Sequence, residues 1–321
     1  MVEYDKRKII KVGEKSYAVT LPKKWCSELG LQPGDIVDLI FHETSIVLKL
    51  KSRKPAENAQ IFLDASKGEE RLIRQLIACY IEGATRIKIK GDPREVSRLL
   101  QQLMKKLMGL VAMGDLKSPY TDVVILESHI NLKDITKRIT SITTEIFDTI
   151  FSYLESGDKK LLNEALRYCD EVSQLYFLGL KTTKGELLKA DSEDVLSMVD
   201  LAMFLRDVEH MTGSLIRLIK ALERMDHEGL EVTREVFILV RKMALDALQA
   251  FTGDKIEMAL SLLSSKDKLK EMLERNHEVL DRLVLNEFNL IMNLSSSIAE
   301  IVLGKCVRNK MCRCKYFYPK L

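Results

Sequence analysis

The sequence predicts a multidomain α and β protein, with a small β head, an α/β connector and a duplicated all-α body. Three observations carry that expectation. Short runs rich in β-branched residues crowd the first 54 residues. Strand-like and helix-like runs alternate from residue 56 to residue 128. From Asn131 onward the apolar spacing is helical almost without interruption, and it repeats itself. The 321 residues exceed one ordinary domain, and 46% hydrophobic with 30% charged residues can fill cores and solvate the surfaces between them. A disordered, collagen-like or disulfide-stapled chain is excluded. Only 6 prolines and 15 glycines argue against a turn-rich all-β chain.

The net charge of +3 is a cancellation. Residues 1–55 carry 11 Lys/Arg against 7 Asp/Glu, and residues 56–130 carry 11 against 10. Residues 131–303 carry 22 against 30, whereas residues 304–321 carry 6 against none. A basic head, an acidic body and a basic tail imply different partners for different parts. The start, MVEYDKRKII, has no apolar run of signal-peptide length. No stretch reaches about 20 uncharged apolar residues, so no membrane insertion is expected. The expected location is cytoplasmic, with cysteines reduced.

In the head, KIIKV (8–12) and SYAVTL (16–21) read as strands around the turn residues GEKS. Thr20 and Pro22 mark the start of a short helix, PKKWCSEL, which stops at Gly30. QPGD (32–35) is a turn, and IVDLIF (36–41) and SIVLKL (45–50) are two further strands about His42-Glu43-Thr44. So short a segment buries too little apolar surface to stand alone, which predicts a dimer with interleaved strands. Trp25, the single tryptophan, suits a core or dimer anchor.

The ordered pattern from Lys6 to Lys51 resembles the AbrB/MazE/SpoVT swapped-hairpin DNA-binding family. It runs from a basic strand through Thr20-Leu21-Pro22-Lys23-Lys24 and Gly30-Leu31-Gln32-Pro33-Gly34-Asp35 to a β-ribbon. The resemblance implies a small swapped-hairpin β-barrel formed by a homodimer and bound to double-stranded DNA. It nominates Lys6, Arg7, Lys8, Lys11 and Lys15 as the DNA-facing residues. The loop Gly13-Glu14-Lys15-Ser16-Tyr17 departs from the family's common Lys-Gly-Gln-Ile-Thr form. Lysines and arginines on one β face neutralise phosphates; the same residues also guard an exposed strand edge against pairing.

Between 56 and 128 the order is β-α-β-α-β-β, read from QIFLDA, EERLIRQLIACYIEG, TRIKIKG, PREVSRLLQQLMKKLMG, GLVAMG and TDVVILES. Gly91-Asp92-Pro93 lacks the spacing of a phosphate loop. The part reads as a connector or oligomerisation module.

The body's helices are expected at 131–155, 158–180, 191–226, 229–251, 254–281 and 283–304, in repeats of about 131–226 and 229–304. Breaks fall at Ser156-Gly157-Asp158, Thr182-Thr183-Lys184-Gly185, Glu228-Gly229 and Thr252-Gly253-Asp254. The stretch from Phe151 to Asp158 matches that from Ala247 to Asp254, and Leu215 matches Ile298. This predicts two three-helix bundles packed end to side, with each Gly-Asp pair stopping one helix and capping the next.

A duplicated three-helix bundle with Gly-Asp junctions resembles the PhoU family of phosphate-uptake regulators. An archaeal-type branch that fuses an AbrB-like head to a PhoU-like body is similar end to end. The resemblance implies a phosphate-linked sensing or docking body, with a phosphate transporter or signalling component as partner. It also implies a Glu-x-x-x-Asp metal motif on the third helix of each repeat. The matching positions here are Arg206 and His210, then Asn289 and Asn293, with no carboxylate at any of the four. A metal is therefore not expected at them.

In the tail, Cys306, Cys312 and Cys314 form C-x5-C-x-C among basic residues and lack a fourth ligand for zinc. They are weak metal or redox candidates, and no cofactor is expected. No nucleophile–base pairing, Gly-rich loop or ligand cluster points to an enzyme. The expected function is a DNA-binding transcription regulator linked to phosphate uptake. The alternative is an adaptor that regulates a phosphate transporter through protein contacts and uses the head only to dimerise.

Overall fold

A computed structural model describes residues 4–42, 45–50, 60–114, 118–126, 130–187, 192–275 and 280–308. The chain divides into two compact units, Met1–Ala59 and Gln60–Leu321.

The first unit holds two antiparallel hairpins and one short helix. β1 (Ile9–Val12) pairs with β2 (Ser16–Val19), and β3 (Val37–His42) pairs with β4 (Ser45–Leu50). α1 (Lys23–Leu29) lies between them and stops at Gly30, whose left-handed backbone returns its N–H to the Cys26 and Ser27 carbonyls. Thr20 does not cap this helix; Pro22 occupies the cap position and no side chain bonds there. The two hairpins are separate two-stranded sheets, and no closed barrel forms among the described residues. None of the described side chains in this unit is buried. Ile9, Tyr17, Ile36, Phe41 and Ile46 are each at least 70% exposed.

The second unit opens with a four-stranded sheet in the order β5-β6-β8-β7. β5 (Ile61–Asp64) and β6 (Arg86–Lys90) are parallel, joined through a 3-10 turn at Ala65–Lys67 and α2 (Glu69–Ile81). α3 (Pro93–Met104) then leads to β7 (Leu110–Met113) and β8 (Tyr120–Ile125), which close the sheet antiparallel. Strand β6 alternates as its sequence predicts. Ile87 and Ile89 are buried under Leu72, Leu76, Leu99 and Leu103, while Arg86 and Lys90 face out. Asp92 caps α3 by accepting the Arg94 N–H at 2.8 Å, ahead of Pro93 in its first turn.

Six long helices follow: α4 (Leu132–Ser156), α5 (Lys160–Leu187), α6 (Ser192–Leu222), α7 (His227–Gly253), α8 (Ile256–Arg275) and α9 (Arg282–Arg308). They form two consecutive three-helix sets over one shared core. The break expected at Thr182–Gly185 does not occur. Thr182 and Thr183 donate their hydroxyls back to the Leu178 and Gly179 carbonyls, so both stay helical and α5 runs on to Leu187. Nor does a helix end at Gly229, which lies in the first turn of α7 with its N–H held by the Asp226 cap at 2.9 Å.

The sets do not pack end to side. α6 and α9 run antiparallel along their length, pinned at one end by Arg217–Glu287 and at the other by Arg308–Asp200. α4 packs on α7, where Arg241 donates to Asp148 and Phe147 meets Phe237 at 6.0 Å between ring centres. Phe204 of α6 stacks on Phe251 of α7 at 3.9 Å. α9 is long and apolar enough to cross a membrane by length and composition. Here Phe288, Ile291, Met292, Ile298 and Val302 are buried in the bundle core instead.

α5 also carries the sheet. Phe177 packs against the connector core, Gln174 donates to the Lys105 carbonyl, and Lys184 pairs with Glu82. Connector and helices therefore belong to one compact unit.

Candidate functional site

The head's site is built on the β1–β2 hairpin. Register pairs Lys11 with Tyr17 and Ile9 with Val19, so pleating puts these four on one face. Lys6, Arg7 and Lys8 lead into β1, and Lys15 lies in the three-residue loop at the opposite end. All five cations are exposed. They form a string about 25 Å long rather than one cluster, at roughly 3.3 Å per extended residue. Lys6, Lys8, Lys11 and Lys15 have no ion-pair partner among the described residues. Arg7 differs, because its guanidinium donates twice to Asp5 Oδ2, at 2.6 and 3.1 Å. Asp5 stands two places before Arg7 in the sequence, so the pairing was open to view and the resemblance alone did not disclose it.

The turn after α1 positions the second hairpin. Asp35 returns its N–H to the Gln32 carbonyl at 3.1 Å, and its carboxylate accepts the Gln32 N–H at 2.7 Å. Gly34 has φ +100°, which with Pro33 before it makes a type II turn that only glycine fills without strain. Trp25 on α1 is half-buried.

Residues 10–56 match the family model described as antidote-toxin recognition MazE, bacterial antitoxin. The MazE-like segment thus spans both hairpins, α1 and the Gln32–Asp35 turn. Lys11 and Lys15 lie inside it, and Lys6, Arg7 and Lys8 lie just before it. No curated protein matches the chain. Among solved structures, PhoU from Pseudomonas aeruginosa is similar, with 16% identity and a TM-score of 0.48 over 56% of this chain and 96% of that one. The phosphate transport system regulatory protein PhoU from Streptococcus pneumoniae is similar at 15% identity and a TM-score of 0.43, over 59% of this chain and 96% of that one.

The four positions matched to the PhoU metal motif, Arg206, His210, Asn289 and Asn293, lie on α6 and α9. Arg206, His210 and Asn293 are exposed, and Asn289 spends its amide N–H on the Leu285 carbonyl at 3.0 Å. A guanidinium and two carboxamides are poor ligands for a hard cation. Asp207 and Glu209, the carboxylates beside them, point apart. Asp207 faces Ser297 of α9, whereas Glu209 accepts from Ser173 of α5 at 3.1 Å. Burial raises the Asp207 carboxyl above its ordinary range, and its Oδ2 has no hydrogen-bond partner. Burial lifts Glu209 further, to about 7, against the opposing pull of the Ser173 hydroxyl and the Lys106 charge. Among the described residues, no three His, Cys, Asp or Glu side chains gather closely enough to hold a metal ion.

Cys306 is not part of a separate tail. It is buried in the last turns of α9, at 4% exposure. Cys312 and Cys314 lie outside the described residues, as do Glu43 and Thr44. Cys169 is buried among α4, α5 and α6, and burial pushes its thiol up to about 12, which makes it an inert core residue.

Proposed function

We propose that this chain is a homodimeric, DNA-binding transcription regulator whose helical body docks a protein partner and links its output to phosphate uptake. The observation that carries the reading is the MazE-like match over residues 10–56, with exposed lysines on and beside the first hairpin that have no ion-pair partner among the described residues. Cations free of intramolecular carboxylates are available to displace counterions from phosphates. The string from Lys6 to Lys15 tracks a backbone rather than one point charge. Dimerisation rests on a separate fact: the head exposes Ile9, Tyr17, Ile36, Phe41 and Ile46 and buries none of its described side chains. A segment this small gains a core by sharing strands with a second copy.

The phosphate link rests on the sequence resemblance of the duplicated three-helix body to phosphate-uptake regulators. In mechanism, a partner bound to the body favours one arrangement of the dimer and alters how the two heads sit on DNA. Such a protein works in the cytoplasm, where both DNA and the inner side of a transporter are within reach.

The test is binding of the full chain to promoter DNA as a function of salt, with genome-wide occupancy compared in phosphate-rich and phosphate-starved cells. Affinity should fall steeply with salt, and the combined Lys6→Ala, Lys8→Ala and Lys11→Ala variant should lose most of it. A weak, salt-independent response unchanged by those substitutions would leave the adaptor reading in place of the regulator.

A further inference from the structure

α7 and α8 meet along a seam that does not close. A recess of about 290 Å³ lies between them, and Met243, Leu262 and Leu269, all buried, line its depth. Leu239 and Met272 complete the apolar lining, so among the described residues it is aliphatic and thioether, without an aromatic ring. The internal duplication shows why the seam stays open. In the register that matches Asp170 of α5 with Asp267 of α8, Ser265 stands where α5 has Tyr168. Tyr168 packs on the helical core, close enough to Glu145 of α4 to feel its charge. A serine at the matching place leaves the space of a ring unfilled. Native packing leaves few voids larger than a water molecule, so an open apolar recess of this size reads as a ligand site.

The polar groups of the lining leave one charge over. Lys242 donates to Asp246 at 2.8 Å, so those two cancel. Ser265 donates its hydroxyl to the Leu262 carbonyl at 2.8 Å and has no proton left to offer. Lys268 is exposed and has no ion-pair partner among the described residues. Glu271, three places further along α8, faces Arg275 at 3.8 Å instead. The recess therefore joins an apolar interior to a single unspent ammonium.

We infer that this recess binds a small aliphatic monocarboxylate, a medium-chain fatty acid, with its hydrocarbon against Met243, Leu262 and Leu269 and its carboxylate on Lys268. One ammonium matches one negative charge. A phosphate or a dicarboxylate brings a second charge that nothing in the lining is free to neutralise. The volume stands at the lower end of ligand sites, about 300 to 1,000 Å³, which suits one short chain and not a diacyl lipid. Each methylene that enters leaves water, and the two methionines adapt to the chain's path. The inference does not depend on DNA binding by the head; it gives the helical body a small-molecule ligand of its own.

The test titrates sodium decanoate, well below its micelle-forming concentration, into the delipidated full chain carrying methyl-labelled methionine. The methyl resonances of Met243 and Met272 report on the recess, and that of Met211, buried in the helical core, is the control. The expected result is saturable binding of one decanoate per chain that moves the first two and not the third. Decanol, with a similar chain and no charge, should bind about tenfold more weakly. Lys268→Met should weaken decanoate by a similar factor and leave decanol unchanged. Ser265→Tyr, which restores the side chain of the first repeat, should abolish the shifts. Lys268 is exposed, so its variant keeps the test standing whatever Ser265→Tyr does to the fold, and melting curves show which variants fold. No saturable shift at Met243 and Met272 overturns the inference, as does equal affinity for decanol, or full decanoate binding by a folded Lys268→Met or Ser265→Tyr chain. Shifts of the same methyls with phosphatidylglycerol vesicles but not with decanoate assign the face to a bilayer, and also overturn it.

Discussion

Arg217 of α6 reaches across to Glu287 of α9 and holds both carboxylate oxygens, Nε to Oε1 at 2.6 Å and Nη2 to Oε2 at 2.8 Å. The two partners are unequally placed, because the Glu287 side chain is 9% exposed and that of Arg217 is 49% exposed. Removing the arginine strands a buried carboxylate, whereas neutralising the glutamate leaves an arginine that water can solvate. Arg217→Ala should therefore destabilise the body by about 2 kcal/mol. Arg217→Lys should recover only part of this, since an ammonium cannot make the two-pronged contact. Glu287→Gln should cost least of the three. Urea unfolding midpoints at constant slope decide the order, and equal losses for Arg217→Ala and Glu287→Gln would contradict it.

Glu209 gives the body a pH dependence with a definite sign. Burial raises its carboxyl from an ordinary 4.5 to about 7 in the folded chain. The folded state therefore holds a proton that the unfolded state has released. The stabilisation is fully present below the unfolded value and is lost as pH rises through the folded one. Over about pH 4.5 to 7 the loss should be on the order of 3 kcal/mol. Glu209→Gln keeps a neutral side chain at every pH, so the gap between variant and parent should open across that window. Unfolding free energies at pH 5, 6, 7 and 8 measure it; parallel curves for the two proteins would rule the effect out.

The two Gly-Asp junctions, alike in sequence, are built differently. In the first, Gly157 takes the left-handed position at φ +72° and Asp158 accepts the Lys160 N–H. In the second, Gly253 stays helical and Asp254 takes the left-handed position at φ +47°, with its carboxylate paired to Lys305 of α9 at 2.7 Å. Gly157→Ala should cost about 1 kcal/mol, from strain at a position that favours glycine. Asp254→Gly exchanges backbone relief for a lost, partly exposed ion pair and should lie within about 0.5 kcal/mol of the parent. Thermal melts of both variants test the asymmetry, and equal destabilisation would refute it.

How much of this was legible in sequence follows from the range of the forces involved. Alternation in Arg86–Lys90, the Asp92-Pro93 helix start and the Gln32–Asp35 turn are local, and each forms where its residues predict. Failures came where distant or unseen partners decide. Thr182 and Thr183 read as a break because their hydroxyls compete with the helix, yet both bonded inward to α5 itself. The side-by-side packing of the repeats depends on pairs such as Arg217–Glu287, 70 residues apart, which no local pattern announces. The identities at Arg206, His210, Asn289 and Asn293 are read directly from the sequence, and none is a carboxylate.

The five candidate DNA-facing cations should not contribute equally. Lys8 and Lys11 are exposed and have no ion-pair partner among the described residues, whereas Arg7 is held by Asp5 and must break that contact before it can neutralise a phosphate. Each free cation that contacts a phosphate adds about 0.9 to the slope of log affinity against log salt. Lys8→Ala and Lys11→Ala should each lower that slope by about 1, and Arg7→Ala by clearly less. Asp5→Ala releases Arg7 and removes a like charge from the phosphates, so it should tighten binding at low salt and steepen the slope. Anisotropy titrations of labelled duplex between about 50 and 200 mM salt read all four variants. An Arg7→Ala loss as large as that of Lys8→Ala, with no gain from Asp5→Ala, would show that the Asp5 contact dissolves on DNA at no cost.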